Sequence, residues 1–160
     1  MAGTIEFRFA TEQDVPEILA FIRALAEYEN LLDSVVATED VLRDWIFTKG
    51  RAEVLFARVD GRNVGFALFF YNFSTFLGRS GIYLEDLFVL RECRGQGYGK
   101  ALLKELARLA VERDCGRLEW ACLDWNTPSI RFYRSLGAQP LDDWTIFRVQ
   151  EAALKALAEK

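Results

Sequence analysis

A chain of 160 residues, 51% hydrophobic and 28% charged, has the size and composition of a single soluble domain with a substantial core. Its net charge of −4, with no basic stripe, argues against a nucleic-acid partner and suits cationic small molecules. There is no histidine, which excludes Ser-His-Asp and Cys-His nucleophile systems and His-ligated metals, and leaves proton transfer to Glu, Asp, Tyr, Lys, Cys or water.

In chain order, Ile5 to Phe9 reads as a short strand. Thr11 with Asp14 has a capping-box arrangement. Val15, Ile18, Leu19, Ile22, Leu25 and Ala26 then recur at helical spacing and predict a helix to about Glu29. Thr38, followed by Glu39 and Asp40, is a second N-cap, with Val41, Leu42, Trp45 and Ile46 as one apolar face. Val54 to Val59 and Val64 to Tyr71 flank Asp60-Gly61-Arg62-Asn63, a hairpin signal. The aromatic run from Gly65 to Phe76 carries Asn72, Ser74 and Thr75 and reads as strand plus turn. Ile82 to Leu90 is apolar apart from Glu85 and Asp86, as a central strand should be. Leu102, Leu103, Leu106, Leu109 and Ala110 make an amphipathic helix that ends near Asp114 to Gly116. Arg117 to Leu123 is a further strand. Thr127 caps a short helix with Pro128 at its first position and Gly137 as terminator. Trp144 to Val149 reads as a final strand and Glu151 to Ala158 as a tail helix.

That order predicts an α/β fold with a mixed sheet covered by helices. No repeat, low-complexity stretch or linker interrupts it, so residues 1–160 read as a single domain, core about 5–149 and C-terminal helix about 150–158. The N-terminus lacks the basic and long apolar regions of a leader, and no window reaches the ~18 apolar residues of a membrane span. Cys93, Cys115 and Cys122 match no zinc spacing, and their odd number suggests free thiols in a reducing cytoplasm. No metal is implied.

Between the central strand and the amphipathic helix lies Arg94-Gly95-Gln96-Gly97-Tyr98-Gly99-Lys100. Its glycines let the backbone approach a ligand without Cβ clashes, and N–H groups at a helix start converge on a spot that favours phosphate. It is not a Walker loop, and its spacing departs from the dinucleotide fingerprint Gly-x-Gly-x-x-Gly. A phosphate-bearing cofactor bound between residues 85 and 100 is the expectation, with an ordinary glycine-rich turn as the alternative.

Arg94-x-x-Gly97-x-Gly99 resembles the acyl-CoA loop of the GNAT superfamily of N-acetyltransferases, and the predicted element order matches that fold. Ile82-Tyr83-Leu84-Glu85-Asp86-Leu87-Phe88-Val89, Asp124-Trp125-Asn126, Phe132-Tyr133-Arg134-Ser135-Leu136-Gly137-Ala138 and Ala26-Glu27-Tyr28-Glu29 resemble its diamine branch, the spermidine/spermine and thialysine N-acetyltransferases. The resemblance spans roughly residues 5–149. It implies the GNAT acyl-CoA N-acyltransferase fold, a mixed central sheet with helices on both faces and a bulged, splayed central strand. It also implies acetyl-CoA as donor, CoA as product and a homodimer.

The resemblance assigns tasks to residues. The backbone of Leu87, Phe88 and Val89 holds the pantetheine and thioester end, where an N–H stabilises the oxyanion. Gly95, Gln96, Gly97, Tyr98 and Gly99 cradle the pyrophosphate, with Arg94 and Lys100 adding positive charge. Tyr133 is the general acid for the leaving thiolate. Asn126 contacts the cofactor arm or shapes the turn it occupies. An alkyl amine, pKa near ~10, arrives protonated, so a group must take its proton; Glu85 is the candidate, directly or through a water. Asp86 is a substrate-binding candidate, since adjacent strand residues face opposite sides and only a bulge brings them closer. Glu29 joins them in an acidic channel for a cationic amine. Where spermidine-type members carry a further acid, this chain has Asn72-Phe73-Ser74-Thr75, more like the thialysine type. Ser74 and Thr75 either hydrogen-bond an amino-acid carboxylate or make a turn. The acceptor expected is a small diamine or lysine-like amino acid. The alternatives are a polyamine, a protein lysine or N-terminus, and a non-enzymatic acyl-CoA-binding module.

Overall fold

The computed structural model describes residues 3–160. They group into two compact units, Met1–Ala121 and Cys122–Lys160. The first holds a five-stranded sheet in the order β1-β2-β3-β4-β5: β1 Ile5–Phe9, β2 Glu53–Val59, β3 Arg62–Ser74, β4 Arg79–Val89 and β5 Leu118–Trp120. The first four strands are antiparallel neighbours, and β5 lies parallel to β4. β2 and β3 are joined through Asp60 (φ 51°) and Gly61 (φ 77°), the two left-handed positions of a type I′ turn, whose twist matches that of its strands.

Helices cover both faces of this sheet. α1, Val15–Tyr28, enters through Asp14, whose carboxylate accepts from the Thr11 N–H at 2.7 Å and from both terminal nitrogens of Arg8 at 2.8 and 2.9 Å. The Arg8 guanidinium holds that carboxyl well below its usual range, at about 2. The salt bridge also fixes the start of α1 to β1. Ile18 and Phe21 of α1 pack on Val54, Phe56, Phe66 and Phe88, and the Phe21 ring stacks on Phe66 with centroids 5.1 Å apart. On the opposite face, α3, Tyr98–Glu112, buries Leu102, Leu103, Leu106 and Leu109. Arg113, just past α3, pairs with Glu53 of β2 at 2.6 and 3.0 Å.

Several elements differ from the sequence expectation. α2 is a single turn, Glu39–Leu42, capped by Thr38 as expected. It runs on as a π-helix over Arg43–Thr48. The extra residue per turn rotates the apolar positions apart: Ile46 is buried, while Trp45 is half exposed with the Lys49 ammonium 3.8 Å from its ring centroid. β5 is shorter than Arg117 to Leu123.

In the second unit, α4 spans Thr127–Ser135 and α5 spans Glu151–Ala158. The N-cap of α4 is Asn126 rather than Thr127, its Oδ1 accepting from the Ser129 N–H at 3.4 Å. The strand expected at Trp144 to Val149 does not form; no ladder is made there. β-Propensity describes how a side chain fits a pleated surface and supplies no partner strand. No helix among the described residues is long and apolar enough to cross a membrane.

Candidate functional site

The site in the first unit is built on an irregularity in β4. Leu68 of β3 pairs with Asp86, and the next residue, Phe69, pairs with Leu84. Glu85 is therefore the extra residue of a β-bulge and has no partner on β3. Alternation assigns the faces on either side. Asp86 shares a register with Leu68, and two residues on, Phe88 shares one with Phe66, so Asp86 lies on the α1 face. Glu29, the C-cap of α1, belongs to the same face. Burial, with the charges of Glu85 and Glu29 added, pushes the Asp86 carboxyl up to about 6. Burial also raises the Glu29 carboxyl from its ordinary value. The bulge thus gathers Glu85, Asp86 and Glu29 within electrostatic reach of one another. Unpaired acids in this state gain from a cation placed among them.

The other edge of β4 is open beyond the bulge. The parallel pairing with β5 covers Ile82, Tyr83 and Leu84 and then stops, which is the expected splay. The Leu90 N–H donates to Val64 of β3 at 2.9 Å. By antiparallel alternation Phe88 also faces β3, and the main-chain groups of Leu87 and Val89 face the other way, where β5 has ended. Of the three residues expected to hold an acyl-donor arm, Leu87 turns its main chain to this edge, and so does Val89, whose carbonyl accepts from Arg94 Nε at 3.0 Å. Phe88 does not, since its side chain is buried in the core and its main chain is turned to β3.

Next to this edge the glycine loop opens α3. Gly95 and Gly97 have φ values of 79° and 84°, and nothing lies within 4 Å of where a Cβ would stand on either. Crowding by the protein does not demand glycine there; the left-handed backbone does, and the hollow it leaves is free. The N-cap, Gly97, makes no side-chain cap bond, and the first turn of α3 carries no acid. A 15-residue helix therefore aims its first N–H groups into open space beside Lys100. These features fit a pyrophosphate group of the expected donor. The Gln96 side chain accepts from the Tyr98 hydroxyl at 3.1 Å, and the Tyr98 ring is buried, so Tyr98 can offer such a group its N–H alone. A Cβ on Gly99 would stand 3.8 Å from the Val89 side chain and 3.9 Å from that of Leu87, which places loop and open edge side by side.

Arg94 is placed differently from the expectation of a phosphate cation. Its Nε donates to the Val89 carbonyl at 3.0 Å, and its guanidinium carbon lies 4.8 Å from the Tyr28 ring centroid and 5.0 Å from that of Phe88. In the sequence Tyr28 carries one signal, an aromatic residue next to an acid at a helix end.

Ser74 and Thr75 lie elsewhere on the first unit. Ser74 is buried, pairs with Arg79, and its Oγ accepts from the Leu77 N–H at 3.2 Å. Glu85 lies six residues further along β4, about 20 Å away at strand rise, so a single chain does not bring this pair to the acids. In the second unit, Tyr133 is on α4 with its ring 5.6 Å from that of Phe132. The Ala138 N–H donates to the Tyr133 carbonyl and the Gly137 N–H to that of Arg134, with Gly137 at φ 91°. That Schellman closure anchors the turn carrying Tyr133. The Asn126 carbonyl is committed to capping, which leaves its amide NH2 for other partners.

Known proteins resemble this chain throughout its length. The model of the acetyltransferase (GNAT) family matches residues 18–138. A thialysine N-epsilon-acetyltransferase of Bos taurus is 39% identical over 98% of both chains. An L-ornithine N5-acetyltransferase of Arabidopsis thaliana is 43% identical over 58% of this chain and 41% of its own. Among solved structures, an integron cassette protein from the mobile metagenome of V. cholerae superposes with a TM-score of 0.81, at 26% identity and 98% coverage of both chains.

Proposed function

The chain belongs to the acetyltransferase (GNAT) family, and we propose that it moves the acetyl group of acetyl-CoA to a primary amine of a small diamine or lysine-like amino acid. It is an N-acetyltransferase. The observation that carries the acceptor reading is the β4 bulge, where Glu85, Asp86 and Glu29 come within electrostatic reach of one another next to the strand edge that β5 leaves unpaired. The amine acceptors named for the bovine and Arabidopsis relatives support it.

In this reading CoA supplies a thioester as the acyl carrier. Gly95 to Lys100 hold its pyrophosphate, and the Leu87 and Val89 main chain holds its arm. Glu29 and Asp86 hold the cationic acceptor, and Glu85 takes the proton from its nucleophilic amine, directly or through a water. The neutral nitrogen attacks the carbonyl, the C–S bond breaks, and the Tyr133 phenol gives its proton to the thiolate that leaves. The enzyme works in the cytoplasm as a homodimer.

The test is thiol release from acetyl-CoA against thialysine, lysine, ornithine, short diamines, spermidine, spermine and a lysine-bearing peptide. The highest kcat/KM is expected for the amino-acid diamines. A preference for the polyamines or the peptide would overturn the acceptor assignment, and thiol release with none of them would overturn the activity.

A further inference from the structure

Arg94 joins three parts of the site. It is the first residue of the donor loop; its Nε donates to the Val89 carbonyl; its guanidinium lies over the Tyr28 ring. Val89 belongs to the open edge of β4, and Tyr28 is the last residue of α1, next to Glu29. Arg94 therefore holds the donor edge by a hydrogen bond and lies against the helix end that carries an acceptor acid. We infer that Arg94 is a positioning residue that couples donor to acceptor: through the Tyr28 ring it transmits ordering of the Val89 edge to the end of α1.

The inference rests on the proposed donor and acceptor sites and adds a link between them. A donor arm on the open edge restrains Val89 and the loop start. Restraining both ends of the Arg94 tether restrains its guanidinium, and with it Tyr28 and Glu29. The amine then meets an acid already in place, so less ordering is lost on binding. Linkage makes the effect reciprocal: the amine must tighten CoA by the same factor that CoA tightens the amine. Arg94 and Tyr28 are both at the surface, where a cation–π contact contributes enough for about a two- to fivefold coupling.

The first test needs no acceptor. Binding of CoA is measured by calorimetry, and hydrogen exchange of the amides of Ala26 to Glu29 is followed with and without saturating CoA. The wild-type protein should show slower exchange there with CoA. Tyr28→Phe, which keeps a ring, should keep the effect; Tyr28→Leu and Arg94→Lys, compared at saturating CoA, should lose it. Equal CoA-induced protection in the wild type and Tyr28→Leu, or none in the wild type, overturns the coupling. Failure of CoA to bind at all would instead overturn the donor site. The second test repeats the CoA titrations with the best amine from the panel present. The wild type should bind CoA about two- to fivefold more tightly than without amine, and Tyr28→Leu should bring that ratio to one. Arg94→Lys should raise the amine KM more than it lowers kcat. A ratio that survives in Tyr28→Leu rejects the role, because loss of packing alone leaves linkage intact.

Discussion

Asp86 shows how a single carboxyl can be set by its surroundings. It is half-buried beside two other acids, and its carboxyl titrates at about 6. Its folded value is raised above that of an unfolded aspartate, so the protein is most stable with Asp86 protonated. That contribution is complete below about pH 4 and is lost as pH rises through about 6. Asp86→Asn should therefore raise the melting temperature at pH 7.5 by a few degrees, on the order expected for 1–2 kcal/mol in a chain of this size, and leave it nearly unchanged at pH 4. The same substitution should raise the KM for a cationic amine. In the wild type that KM should climb as pH falls below about 6, because the incoming cation must displace the proton. A flat KM between pH 5 and 8 would exclude Asp86 from the acceptor site. Tyr133→Phe asks a different question. If the phenol protonates the thiolate, turnover should drop by about 10²-fold or more while calorimetric CoA affinity stays close to wild type; unchanged turnover would remove the role.

At the scale of elements, the glycine loop and the start of α1 make independent predictions. Gly97→Ala forces a side chain into a left-handed backbone, at a cost of about 1–2 kcal/mol. Its new methyl meets nothing in the protein, so denaturant midpoints should report that backbone cost, and CoA titrations should show a further loss as the cradle fills. Asp14→Ala removes the acceptor of the Thr11 N–H and the partner of Arg8, and should lower stability by about 2 kcal/mol with kcat little changed; urea melts and steady-state rates read the two separately. Elements were legible where a local rule governs them. Thr38 capping, the Asp60-Gly61 turn, α3 and the Gly137 terminator all follow from neighbouring residues. The π-helix over Arg43–Thr48 was not legible, because Val41, Leu42, Trp45 and Ile46 satisfy an α-helical pattern equally well. Nor was the Asn126 cap, since Thr127 is as good an N-cap by type. The missing strand at Trp144 to Val149 has the composition of a strand; what it lacks is a neighbour, which no window of sequence records.

For the molecule as a whole, the sequence led to the sheet, its mixed pairing and the gathering of acids at Glu85, because adjacent carboxylates in an apolar run are costly unless the backbone makes room for them. It did not reveal that Arg94 turns to Tyr28, or that Ser74 and Thr75 sit about 20 Å along β4 from the acids, as both depend on distances between elements. The proposed homodimer belongs to the same scale. Leu154 and Leu157 of α5 are each about half exposed, and light scattering should give twice the 18.3 kDa chain mass. Leu154→Glu with Leu157→Glu should shift the mass toward one chain if α5 contributes to the interface.

The extra residue in β4 also sets a design problem. Deleting Glu85 would give β3 and β4 an unbroken ladder, and alternation beyond it would be preserved: Asp86 and Phe88 would still face α1, and Leu87 and Val89 would still face the far edge. Parallel pairing with β5, which now covers Ile82 to Leu84, would then have a regular strand to follow. Such a protein should unfold at a higher temperature than the natural one and bind no CoA. In that sense the chain carries a deliberate flaw: a search for the most regular sheet would erase it first, and the activity with it.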